Sequence, residues 1–170
     1  MQPPQPAPRP AADTSAAARG SVPHDLRMID VGHKPVSLRT ARASARLRAA
    51  PETIRRLREG RLEKGDAIAA ARLAGIMAAK RTSDVIPLCH PLPLDAVEVT
   101  LSHDAADAVG IAVTVRATAR TGVEMEALVA ATAAALTIYD MCKSIDRDMS
   151  IEHVRLEEKT GGTRGDYLRG

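Results

Sequence analysis

Residues Thr121–Lys143 read TGVEMEALVAATAAALTIYDMCK, and the rest of the chain is organised around this stretch. As a helix it places Glu126, Ala130, Ala133, Thr137 and Asp140 on one stripe, through steps of four and three residues. The opposite side carries Val123, Leu128, Leu136, Ile138, Tyr139, Met141, Cys142 and Ile145, an apolar surface expected to be buried. A lane of Ala and Thr ending in a carboxylate lets either another helix or a flat ligand approach the backbone closely. On the plainer reading the lane is a helix-packing groove. Asp140 and Lys143 are then a surface i,i+3 pair contributing a few tenths of a kcal/mol.

Working outward, Val97, Val99 and Leu101, then Val109, Ile111, Val113 and Val115, recur with period two on either side of a polar loop. They predict an antiparallel hairpin. Met149–Lys159 predicts a further strand with a bulge near His153. From Thr40 to Arg48, Ala41, Ala43, Ala45 and Leu47 alternate with Arg42, Ser44, Arg46 and Arg48. That is a strand pattern, though alanine-rich enough to fit a helix. Pro51 opens a short helix stopped by Gly60. Asp66 is the expected N-cap of a helical run ending near Arg81. Gly75 costs that helix about 1 kcal/mol relative to Ala, which implies close packing there. Leu26–Lys34 is expected to be a short strand closing in a turn at Gly32. The pattern is α+β, with helices packed on one face of a mainly antiparallel sheet.

With 170 residues, the chain fits a single domain with a substantial core. The first twenty residues hold five prolines and six alanines and almost no large apolar side chain. Residues 1–22 are therefore expected to be a disordered tail, 23–160 a single α+β domain, and 161–170 a flexible Gly/Arg-rich end. No run of eighteen apolar residues exists, so no membrane span is expected. Two cysteines, Cys89 and Cys142, are too few for a disulfide framework and lack metal-knuckle spacing. They point to a reducing, cytoplasmic setting. A formal charge of +3 suits anionic ligands. With no Phe or Trp and two Tyr, the chain is poorly equipped to stack on bases. A phosphorylated small molecule is favoured over a nucleic acid.

Several polar residues invite a chemical reading. Arg39–Arg61 contains eight arginines against two glutamates. It is either a solvated sheet edge blunted by charge or a patch of guanidinium groups that holds phosphate. Lys64 precedes a helix N-terminus, which already favours an anion. Pro87, Pro91 and Pro93 stiffen the backbone around Cys89 and His90. Neighbours in sequence diverge in direction, so Cys89 and His90 do not themselves form a dyad. Glu126 and Asp140 stand fourteen residues apart, roughly 21 Å along a helix. They cannot meet at one atom, so a shared function needs a long ligand or a site split between subunits.

Lys64–Leu92 (KGDAIAAARLAGIMAAKRTSDVIPLCHPL) and Thr121–Lys143 resemble the two signature blocks of the cyclic pyranopterin monophosphate synthases, the MoaC family of molybdenum cofactor biosynthesis. Ile29–Ala43 and Glu158–Tyr167 resemble its start and end. The resemblance implies a ferredoxin-like sandwich and a homohexamer, a trimer of dimers with the site at a dimer interface. It implies a lyase that converts a cyclic dihydro-GTP intermediate to cyclic pyranopterin monophosphate with release of diphosphate. Asp140, Lys143 and Lys64 match the catalytic positions. Leu88, Cys89, His90, Met125 and Glu126 match substrate contacts, and Glu124, Arg39, Arg42 and Lys159 match neighbours of the substrate. No metal-ligand cluster is apparent and no cofactor is required, although Mg²⁺ is compatible with diphosphate release. The sequence departs from the family at Ala119-Arg120, where Gly-Lys is expected, and at KTGGTRG, where Thr163 stands in place of a second lysine with Arg164 next to it, which leaves the phosphate contacts there open. The rival reading is a non-catalytic anion- or RNA-binding sandwich module.

Overall fold

The computed structural model describes residues 26–103 and 105–170; the expected tail over residues 1–22 lies outside them. Strand β1 (Ser37–Arg48) leads through helices α1 (Pro51–Arg58), α2 (Ala67–Ala79) and the single turn α3 (Thr82–Val85) into the hairpin β2 (Ala96–Ser102) and β3 (Ala108–Ala119). Helix α4 (Glu124–Cys142), strand β4 (Ser150–Thr160) and the short β5 (Tyr167–Leu168) follow. The sheet runs β2-β3-β1-β4-β5 and is antiparallel throughout. With α2 and α4 covering one face, the βαββαβ order and this strand order make the ferredoxin-like sandwich that the resemblance implied.

Alternation in β1 is strict where it matters. Ala41, Ala43, Ala45 and Leu47 are buried beneath the helices, facing Val109, Ile111, Val113 and Val115 from β3 within the same core. Tertiary pairing on both sides overrides alanine's weak strand preference. β1 is thus a central strand, and the expectation of a charge-blunted edge is corrected. The arginines of Arg39–Arg61 are mostly occupied: Arg42, Arg46, Arg48, Arg55, Arg56 and Arg61 pair with carboxylates, and Arg58 donates to the Ala105 carbonyl.

β4 slips register against β1 twice. His153 is skipped between Val154 and Glu152, where the sequence suggested a bulge, and Glu157 is skipped between Glu158 and Leu156. Asp66 caps α2, its carboxylate accepting the Ile68 and Ala69 N–H groups. Leu26–Lys34 is not a strand. Asp30 Oδ1 accepts the Gly32 N–H at 2.7 Å and Lys34 N–H donates to Val31 O, so a local turn satisfies the backbone without a sheet partner. Leu26 and Ile29 are left exposed.

The largest correction concerns α4. Val123, Ile138, Met141 and Cys142 are buried as expected, but Leu136 is 54% exposed, and Ala127, Ala130, Ala131, Ala134 and Ala135 make up the rest of the buried side. The small residues seat the helix against α2 and the sheet, because they let backbones come close. A Cβ placed on Gly75 of α2 would stand 3.1 Å from both Ala130 O and a Val99 methyl. At Ala130 the lane is therefore a helix-packing groove. α4 is also long and apolar enough to cross a membrane, but its burial against sheet and α2 is that of a core helix.

Candidate active site

α2 and α4 run antiparallel, so the loop before α2 meets the C-terminal end of α4. Lys64 Nζ donates to Asp140 Oδ2 at 2.6 Å and to the Asp140 carbonyl at 3.1 Å. Lys143, the residue capping α4, places Nζ 2.6 Å from Asp140 Oδ1. Two ammonium groups thus flank one carboxylate where the negative end of the helix dipole favours cations. The Lys143 hydrogen bond, then that of Lys64, holds the Asp140 carboxyl down at about 2. All three side chains are roughly half exposed, and a depression of about 360 Å³ beside the lysines is completed by Tyr139, Ser144 and Arg147.

A second constellation lies at the other end of α4. Leu88, Cys89 and His90, on the proline-stiffened loop after α3, share a cavity of about 490 Å³ with Glu124 and Met125. Beneath it Glu126 is only 3% exposed. Its Oε1 receives the Cys89 thiol at 3.7 Å, and its Oε2 has no hydrogen-bond partner among the described residues. Burial pushes the Glu126 carboxyl up, and burial with the Glu126 charge pushes the Cys89 thiol up, so the thiol keeps its proton and donates.

Glu124 also lines an adjoining cavity of about 190 Å³ with Arg39 and Lys159. Lys159 pairs with Glu124 at 3.0 Å. Arg39 is 3% exposed, and its guanidinium donates to the carbonyls of Ala119, Pro35 and Arg120. Arg42, three residues on, projects from the outer face of the sheet and pairs with Glu158 at 3.4 Å. Within one chain it is therefore apart from Arg39. The structure adds Arg27, Lys34, Arg120 and Arg164 to the cavity walls. Arg120 donates to the Gly32 and Lys34 carbonyls, fastening the turn that carries Lys34. Arg120 and Arg164 stand at the two departures from the family pattern, whereas Arg27 and Lys34, lone basic residues in a loop, gave no sequence signal for such a role. Among the described residues no group of three or more His, Cys, Asp or Glu side chains converges as a metal site would require.

One chain thus holds two separate clusters: a carboxylate between two lysines, groups able to exchange protons, and a shaped polar cavity beside a cationic recess. They stand about 21 Å apart along α4.

Residues 28–162 match the model of the MoaC family. The chain is 57% identical over 143 residues to cyclic pyranopterin monophosphate synthase 3 of Mycobacterium tuberculosis strain H37Rv, covering 84% of this chain and 81% of that protein. It is 58% identical over 141 residues to cyclic pyranopterin monophosphate synthase of Herpetosiphon aurantiacus, covering 82% and 86%. Identity to the enzyme of the same name from Brevibacillus brevis is 50% over 144 residues, covering 85% and 90%. The family match spans the Lys64–Asp140–Lys143 cluster, the Cys89–Glu126 cavity and strands β1 to β4: this chain belongs to the MoaC family.

Proposed function

We propose that this chain is a lyase that converts (8S)-3′,8-cyclo-7,8-dihydroguanosine 5′-triphosphate to cyclic pyranopterin monophosphate, releasing diphosphate. The relatives carry the name of that activity. The observation in the molecule that carries the reading is the Lys64–Asp140–Lys143 cluster, closed across 76 residues of sequence. Exposed ion pairs contribute little to stability, so a fold gains little from assembling one from two elements. Ring remodelling, by contrast, needs proton donors and acceptors held at fixed positions. In this reading Lys64 and Lys143 are the general acid/base groups. Asp140, ionised throughout the working range, orients them. His90 and Glu126 hold the purine-derived ring, with Leu88, Cys89 and Met125 forming its walls. Arg39 and Lys159, with Glu124 setting the position of Lys159, receive the phosphates. Formation of the cyclic phosphate breaks a phosphorus–oxygen bond, and these cations stabilise the charge that develops on the departing diphosphate.

Half-sites separated by the length of α4 act together when two copies pair. Met125, Val129, Thr132, Leu136, Asp140 and Lys143 fall on one stripe of α4 at helical spacing, and none of the first four is buried. Val85 and Ile86 extend this surface, forming with it an apolar trough of about 550 Å³. A twofold axis near its middle brings each Asp140 to the other copy's Glu126. A homohexamer, as a trimer of such dimers, completes every site. The free cysteines Cys89 and Cys142 suit a reducing cytoplasm.

The test is to mix the purified protein with the cyclic dihydro-GTP intermediate and follow diphosphate, with Asp140→Ala alongside. Release by the native chain and none by the variant is expected. No release from folded, oligomeric native protein overturns the reading and leaves an anion-binding module.

A further inference from the structure

The recess beside Glu124 carries an excess of positive charge. Lys34, Arg39, Arg120, Lys159 and Arg164 line it against a single carboxylate, Glu124, which Lys159 already engages. Arg39 is buried with only backbone carbonyls for partners, and its Nη1 has no hydrogen bond among the described residues. That Nη1 faces the C-terminal glycine loop, 3.7 Å from where a Cβ on Gly162 would stand. A guanidinium buried without an anion is costly unless an anionic ligand completes it.

The loop opposite Arg39 is built to hold a shape. Gly161 and Gly165 take φ of +79° and +82°, conformations that glycine adopts freely. A Cβ on Gly161 would fall 1.9 Å from Leu38 O. Gly161 N–H donates to Asp166 Oδ1, Ser37 Oγ donates to Gly161 O, and Gly165 N–H donates to Gly162 O. β5 then returns the chain onto β4, pairing Tyr167 with Lys159. Thr163 and Arg164 are thereby presented at the tip. Arg164 has no ion pair or side-chain hydrogen bond among the described residues, and Thr163 brings no charge.

We propose that Arg164 is a substrate-binding residue, its guanidinium closing the recess over the diphosphate part of the triphosphate, opposite Arg39. This rests on the function proposed above and extends it to a residue outside the matched catalytic and contact positions. The phosphorus–oxygen bond that breaks leaves its electron pair on the diphosphate oxygen, and two planar guanidinium groups facing each other can each grip that anion with paired hydrogen bonds.

The test measures inorganic diphosphate binding to the full chain by titration calorimetry, beside turnover of the intermediate. Arg164→Ala is expected to weaken diphosphate binding and raise KM by about tenfold or more, the scale of a hydrogen bond to a charged group, with kcat changing less. Arg164→Lys is expected to recover only part, because lysine lacks the fork. Lys80→Ala, which removes one charge from the far end of α2, controls for net charge and is expected to bind as the native chain does. Diphosphate binding unchanged in Arg164→Ala, or lowered no more than in Lys80→Ala, overturns the proposal even if the native chain turns over. Diphosphate held through Arg164 without any turnover would support the anion site and overturn the reaction assigned to it.

Discussion

Replacing Glu126 by methionine should make the protein more stable while removing its function. The carboxylate is 3% exposed and its Oε2 lacks a partner among the described residues. An acceptor left unsatisfied in the interior costs about 1–3 kcal/mol. Methionine has similar length and no such demand, and the contact it forfeits is a 3.7 Å sulfur hydrogen bond from Cys89, a weak one. Glu126→Met should therefore gain about 1–3 kcal/mol near neutral pH, raising Tm by about 2–4 °C per kcal/mol at this chain length. The gain depends on pH. Burial, and secondarily the Glu124 charge, raise the folded-state value for Glu126. At acid pH the group is neutral folded or unfolded and its charge costs nothing. As pH rises through the ordinary glutamate range, the unfolded chain ionises first and the folded state holds the extra proton. Native stability then falls until the raised folded value is passed. Differential scanning calorimetry near pH 4 and near pH 7 should show the methionine variant's advantage widening with pH, and the lyase assay should show a loss of about a hundredfold or more. A variant that melts below the native chain at both pH values would refute the reasoning, because Glu126 would then be a satisfied structural residue.

Asp140, held at about 2 by Lys143 and Lys64, stays ionised above that pH and cannot supply the acid limb of a kcat/KM profile. Carbon-detected NMR titration should find it there, and higher in Lys64→Met, which should also lose about 10²–10⁴ of the rate with Tm nearly unchanged. Gly75→Val drives a branched side chain against Ala130 O and Val99. It should cost about 1–3 kcal/mol, read as a lower midpoint in urea. Asp66→Ala removes the acceptor for two N–H groups at the start of α2. About 1 kcal/mol should be lost, and because Lys64 lies two residues away, KM should rise with it.

Features whose cause is local were legible in the sequence. The β2–β3 hairpin followed from period two, the Asp66 cap from residue type, and the tight contact at Gly75 from the absence of any other reason for glycine inside a helix. The bulge at His153 was visible as a break in alternation; the one at Glu157 was not, since it opens the charged run Glu157-Glu158-Lys159, where no apolar alternation remains to be broken. Features decided by tertiary competition were misread. Val123, Ile138, Met141 and Cys142 are buried as their size suggests, but Leu136 is not, because alanines take the positions of α4 where α2 must come close. β1 looked like an edge because its arginines suit water, and an outer sheet face suits them equally. Helix length alone showed that Glu126 and Asp140 cannot meet at one atom. The placement of Arg39 and Arg42 on opposite faces also follows from their odd spacing in a strand. Arg164 stood out only as a basic residue beside the missing lysine of KTGGTRG; what it faces is set by a strand pairing near the end of the chain.

Under the pairing proposed above, the clusters at the two ends of α4 would give lesions in this protein an unusual genetics. A chain altered at Asp140 and a chain altered at Glu126 would each be inactive alone. Co-expressed, they would form mixed pairs in which one site collects both lesions and the other collects neither. Two null alleles would then complement each other, whereas two alleles damaged at the same end of the helix would not.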